Sequence, residues 1–90
     1  MVKKKELPET FKVIVTSEDI KQGRRRSSTS CPIALAIKRR FDETVMVSTN
    51  IRVADVYYRM PNKALDFIRH FDWEGRGLVK PFTFIAKRRF

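Results

Sequence analysis

Arg24-Arg25-Arg26 runs into the hydroxyl stretch Ser27-Ser28-Thr29-Ser30, and Pro32 then opens a segment with helical periodicity. A helix N-terminus carries free N–H groups and partial positive charge. The guanidinium groups of Arg24, Arg25 and Arg26, set beside the hydroxyls of Ser28 and Ser30, therefore suit a phosphate. Lys38, Arg39 and Arg40 fall at the other end of that helix, Arg59 follows a tyrosine pair, and Lys87, Arg88 and Arg89 form a basic tail. Together these twelve residues are the expected anion site, provided that the fold gathers them on one side. The whole chain points the same way, because 20 Lys and Arg against 10 Asp and Glu give a net charge of +10 over 90 residues. Such a surface attracts polyanions.

The remaining reactive types do not assemble into catalysis. Cys31 sits at a helix start near three arginines, a setting that lowers a thiol pKa, but a nucleophile needs a base and the only histidine is His70 on another element. The plainer reading is a small capping or buried cysteine. One Cys and one His cannot supply the usual four ligands of structural zinc, and the carboxylates show no metal-binding spacing, so no metal and no cofactor is expected. Gly75 and Gly77 flank Arg76 between helix and strand, the wrong context for a nucleotide loop. The expectation is a binding protein without enzymatic activity or a small-molecule substrate. Tyr57, Tyr58 and Trp73 are the rings on which a base could stack. Tyr57 and Tyr58 must face opposite sides of a strand, one in the core and one exposed beside Arg59.

These residues need a frame. Residues 1–10, with Lys3-Lys4-Lys5 and no apolar periodicity, read as a flexible basic arm, and 11–90 as one domain. Phe11, Val13 and Val15 alternate as a strand, and Ser17–Ile20 can close a short helical turn before Gly23. The loop 23–30 follows. Ile33, Ile37 and Phe41 repeat every four residues in a helix over about 31–41, with Pro32 at its first position. Val45–Met60 is β-rich with a hairpin turn at Ala54-Asp55, Asn62 caps a second helix carrying Phe67 and Phe71, and Asp72–Gly77 turns into a last strand over 78–86. Pro81 makes that strand an edge or a bulged strand. The resulting order, β-α-β-β-α-β, predicts an α+β domain with a four-stranded, mainly antiparallel sheet and two helices, an order shared by ferredoxin-like domains.

Val15-Thr16-Ser17-Glu18-Asp19-Ile20 with Gly23, Cys31-Pro32-Ile33-Ala34-Leu35-Ala36, Pro61 with Phe67-Ile68 and Phe71-Asp72, and Pro81-Phe82-Thr83-Phe84 occur in an order that resembles small uncharacterised proteins encoded by bacteriophages and prophages. The likeness covers about Phe11 to Phe84. It implies a compact α+β fold and a phage setting, transfers no catalytic residue, and leaves the arginine run and the basic tail particular to this chain. The longest apolar run, Cys31–Ile37, falls far short of the ~20 residues of a membrane span, and a cytoplasmic protein is expected. Two partners fit these expectations. The first is the phosphate backbone of DNA or RNA, bound with little sequence reading. The alternative is an acidic host protein, bound and blocked by a phage-encoded inhibitor.

Overall fold

The structure is a computed structural model that describes residues 7–74 and 79–89. Strand β1 (Thr10–Val15) leads into a short helix α1 (Ser17–Gln22), and α2 (Pro32–Phe41) follows the basic loop. A meander of β2 (Val45–Val47), β3 (Asn50–Val53) and β4 (Val56–Arg59) then precedes α3 (Asn62–Glu74) and β5 (Phe82–Arg88). The fold is α+β. Its sheet has five strands in the order β1-β5-β4-β3-β2, and every neighbouring pair is antiparallel.

Two expectations about topology are corrected by this order. The β-rich section contains three strands where two were expected, because Ser48-Thr49 makes a tight turn in which the Ser48 N–H donates to the Asn50 carbonyl at 2.9 Å. With α1 counted, the described residues form five strands and three helices in place of four and two. The ferredoxin-like arrangement also fails, since β1 stands at one end of the strand order and pairs antiparallel with β5. β5 is an inner strand. Pro81 lies just outside it, so the missing N–H costs the ladder nothing.

Alternation along the strands sends Phe11, Val13, Val15, Val45, Val47, Ile51, Val53, Val56, Tyr58, Phe84 and Ala86 to one face, where they are buried. Ile33, Ala34 and Ile37 of α2 and Ala64, Phe67 and Phe71 of α3 close over that face. Rings organise this core. Phe11 meets both Phe41 and Tyr58 edge-on with centroids 4.8 Å apart, and Phe67, Phe82 and Phe84 stack in series at 4.6 and 5.6 Å. Such contacts add to the area term for each ring.

The helix ends follow from their sequences. Thr16 caps α1 in a reciprocal box: its Oγ1 accepts from the Asp19 N–H at 3.2 Å, and Asp19 Oδ2 accepts from the Thr16 N–H at 2.9 Å. α2 begins at Pro32 with Cys31 as its cap and ends at Asp42, whose φ of 52° is left-handed. Asn62 stands inside the first turn of α3, because the Pro61 carbonyl already accepts from Leu65 at 3.1 Å. α3 runs on through Asp72, Trp73 and Glu74, three residues expected in the following turn. The rest of that turn, Gly75-Arg76-Gly77, and Leu78 lie outside the described residues, as does Phe90.

Of the expected arm, residues 1–6 lie outside the described residues, but 7–10 are built into the fold. Leu7 is buried in the core, the Tyr58 hydroxyl donates to the Pro8 carbonyl at 2.6 Å, and the Arg88 N–H donates to the Glu9 carbonyl at 2.7 Å. A single leucine beside a proline gives no periodicity to read, yet it supplies the apolar anchor here.

Candidate nucleic-acid interface

The arginine loop is folded against the C-terminal end of α3. Arg25 donates from Nε to the Asp72 carbonyl at 3.0 Å and from Nη2 to the Trp73 carbonyl at 3.2 Å, completing acceptors that a helix end leaves open. Arg26 adopts a left-handed φ of 54°, which turns its N–H toward Asp72 Oδ1 at 2.8 Å, and its guanidinium lies 5.7 Å from the centroid of the Trp73 ring. Arg24 is exposed, and its N–H donates to the Ser30 carbonyl at 2.8 Å. Ser28 and Ser30 are half-buried, and the Ser28 carbonyl holds the Val47 N–H at 2.8 Å. The loop is thus tied to α3, to itself and to β2.

The first turn of α2, expected to face a phosphate, is enclosed. Pro32, Ile33 and Ala34 are buried, and the Ala34 N–H donates to Cys31 Sγ at 3.4 Å. Burial, with the Asp72 charge adding to it, pushes the Cys31 thiol above its ordinary pKa, opposite to the lowering expected from the arginine run. A recess of about 320 Å³ beside the loop is lined by Arg26, Ser27 and Ser28, but also by the Asp72 carboxylate, which opposes an anion there.

The α2 cations are partly committed as well. Lys38 Nζ donates to the Thr29 carbonyl. Arg39 grips Asp19 with two bonds, Nη1 to Oδ1 at 2.6 Å and Nη2 to Oδ2 at 3.0 Å, and reaches the Ile14 carbonyl at 3.0 Å. Burial alone would raise the Asp19 carboxyl, but the bonds from Arg39 and Thr16 outweigh it and hold the group below its usual pKa. The Arg40 guanidinium lies 5.4 Å from the Phe41 centroid and 5.9 Å from that of Phe11.

The other face of the sheet is different. Outward positions carry Lys12 and Ile14 on β1, Met46 on β2, Arg52 on β3, Tyr57 and Arg59 on β4, and Ile85 and Lys87 on β5. All are exposed except half-buried Arg52, whose Nε donates to the Ala54 carbonyl at 2.9 Å. Among the described residues no strand contains an aspartate or glutamate, whereas Lys12, Arg52, Arg59, Lys87 and Arg88 lie in strands. Register gathers the outward cations. Lys87 pairs with Arg59, Arg59 with Asn50, and Arg52 with Tyr57, while the Arg89 N–H bonds the Tyr57 carbonyl at 2.9 Å from the opposite side. Arg59, Lys87 and Ile85 line an open depression of about 360 Å³ that Pro61 and Asn62 bound at the start of α3. The first turn of α3 has no acid to offset the positive end of that helix.

Of the residues named from sequence, the structure therefore joins Arg59, Lys87 and Arg89 on the open face. Arg88 points the other way and is half-buried opposite Tyr58. Arg24, Arg25 and Arg26 belong to the loop at the far end of α3 from Asn62, and Lys38, Arg39 and Arg40 to α2. Lys12, Arg52, Met46, Ile14 and Ile85 were missed. Each is an isolated residue in the chain, and the available signal was the absence of any acid from the strand segments. The choice between the tyrosines is also resolved: Tyr58 is fully buried and Tyr57 is 50% exposed.

Among the described residues no group of three or more His, Cys, Asp and Glu could hold a metal ion, and no helix is long and apolar enough to cross a membrane. Comparison with family models, with curated proteins and with solved structures found no match, and nothing in it indicates a phage origin.

Proposed function

We propose that the protein binds nucleic acid through its phosphate backbone, with little sequence specificity, on the open face of the sheet. The observation that carries this reading is charge segregation. Among the described residues no acid lies in a strand, and the outward face presents Lys12, Arg52, Arg59 and Lys87 with Arg89 beside them. Cations spread across a sheet contact phosphates and carry no base code by themselves, which gives affinity without sequence reading. The arginine loop is a weaker candidate, because Arg25 and the backbone of Arg26 already serve the end of α3.

The test is affinity for labelled single-stranded DNA, duplex DNA and RNA across a salt series with nuclease-treated protein. If the five outward cations each neutralise one phosphate of a single strand, log affinity falls with log salt at a slope of about −3.5, roughly a hundredfold between 50 and 200 mM. Binding with a steep slope, whichever of the three polymers is held most tightly, supports the reading. A flat plot or no binding overturns it and directs attention to an acidic protein partner.

A further inference from the structure

We propose that the ligand of the open face is single-stranded, with a base stacked on the Tyr57 ring and adjacent phosphates on Arg59 and Lys87. The inference rests on the backbone-binding reading and adds what that reading does not require. Phosphate contact needs cations only, but this face also exposes Tyr57, Ile85, Met46 and Ile14, four of the five large hydrophobic residues exposed among those described. Apolar surface among cations suits the faces of unstacked bases, which a single strand offers and a duplex hides.

The placement of Tyr57 supports that match. Its ring position lies between Arg52 on β3 and the backbone of Arg89, and Arg59 is two residues along the same strand on the same side. Two residues of strand span about 7 Å, so ring and guanidinium can serve one nucleotide and its neighbouring phosphate. Width argues against a duplex. Four interstrand gaps of about 4.8 Å make the face roughly 19 Å across, too broad for the ~12 Å major groove, so a duplex would meet it only through phosphates. Trp73 is more exposed, at 69%, but it stands on α3 beneath Arg26 and off the sheet.

The experiment is fluorescence anisotropy with two labelled 12-mers, oligodeoxythymidine and an abasic strand of the same length, against the wild type, Tyr57→Ala, Tyr57→Phe and Trp73→Ala. Thermal unfolding of each variant checks that the fold is kept. The wild type is expected to prefer the base-bearing strand by about tenfold or more. Tyr57→Ala should lose that preference without changing the salt slope, while Tyr57→Phe and Trp73→Ala should keep it. Equal binding of both strands by the wild type, or an unchanged preference in Tyr57→Ala, overturns the stacking proposal and leaves backbone binding standing. Failure to bind either strand overturns the single-strand proposal, and backbone binding falls with it if duplex DNA and RNA also fail to bind.

Discussion

Removing the Asp19 carboxylate tests the description of Arg39 as a structural residue. Asp19 is 4% exposed and accepts three bonds, from the Thr16 N–H and from both terminal nitrogens of Arg39. Asp19→Ala removes half of the capping box, worth about 1 kcal/mol. It also removes a bidentate pair whose arginine is half-exposed, so solvent returns part of that energy and about 1 kcal/mol more is lost. The sum is a destabilisation of about 2 kcal/mol, or ~10 °C in midpoint for a domain of this size. The sign with pH follows from the lowered folded-state pKa. The unfolded carboxyl titrates near ~4, so the contribution is complete above that pH and is lost as pH falls through the folded value. Urea unfolding at pH 7 and at a series of values below 4 should therefore show the gap between wild type and variant closing in acid. Arg39→Ala should also destabilise at pH 7, move the acid limb to higher pH, and leave nucleic-acid affinity within about twofold. A gap independent of pH, or an Arg39→Ala variant as stable as the wild type, would refute the reasoning.

Two other substitutions probe the frame that sets the open face. A Cβ on Gly23 would sit 2.6 Å from both Cδ and Cγ of Pro32, so Gly23→Ala must push the loop from the start of α2 and should cost about 1–3 kcal/mol in chemical denaturation. Tyr58→Phe deletes the bond to the Pro8 carbonyl, and should lower stability by about 1 kcal/mol and speed amide exchange at Arg88, whose N–H is held by Glu9.

Elements with local signals were legible in the chain. Pro32 with the spacing of Ile33, Ile37 and Phe41 marked α2, alternation of Phe11, Val13 and Val15 marked β1, and Ala54-Asp55 marked the β3–β4 turn. That turn was readable despite Ala54 taking a φ of 54°, a conformation that favours glycine. The Ser48-Thr49 turn was hidden because neither glycine nor proline announces it. The position of β5 between β1 and β4 was hidden for a different reason, since it is set by pairing between ends of the chain far apart in sequence. The site divides the same way. Runs such as Arg24-Arg25-Arg26 and Lys38-Arg39-Arg40 stand out in sequence, yet Arg25, Lys38 and Arg39 use side-chain donors within the fold. Lys12, Arg52 and Tyr57 are unremarkable singly and become a surface only when the ladders bring them together.

The most direct test of the central claim compares Arg59→Glu/Lys87→Glu with Arg24→Glu/Arg25→Glu/Arg26→Glu in the salt-dependent binding of a labelled single strand. If the open face is the binding surface, the double variant loses at least tenfold in affinity and its slope flattens by about 1.4, for two lost phosphate contacts. The loop variant, although its charge changes more, should lose less and keep the slope of the wild type. The opposite ranking, with the loop variant losing binding and the sheet variant retaining it, would contradict the account.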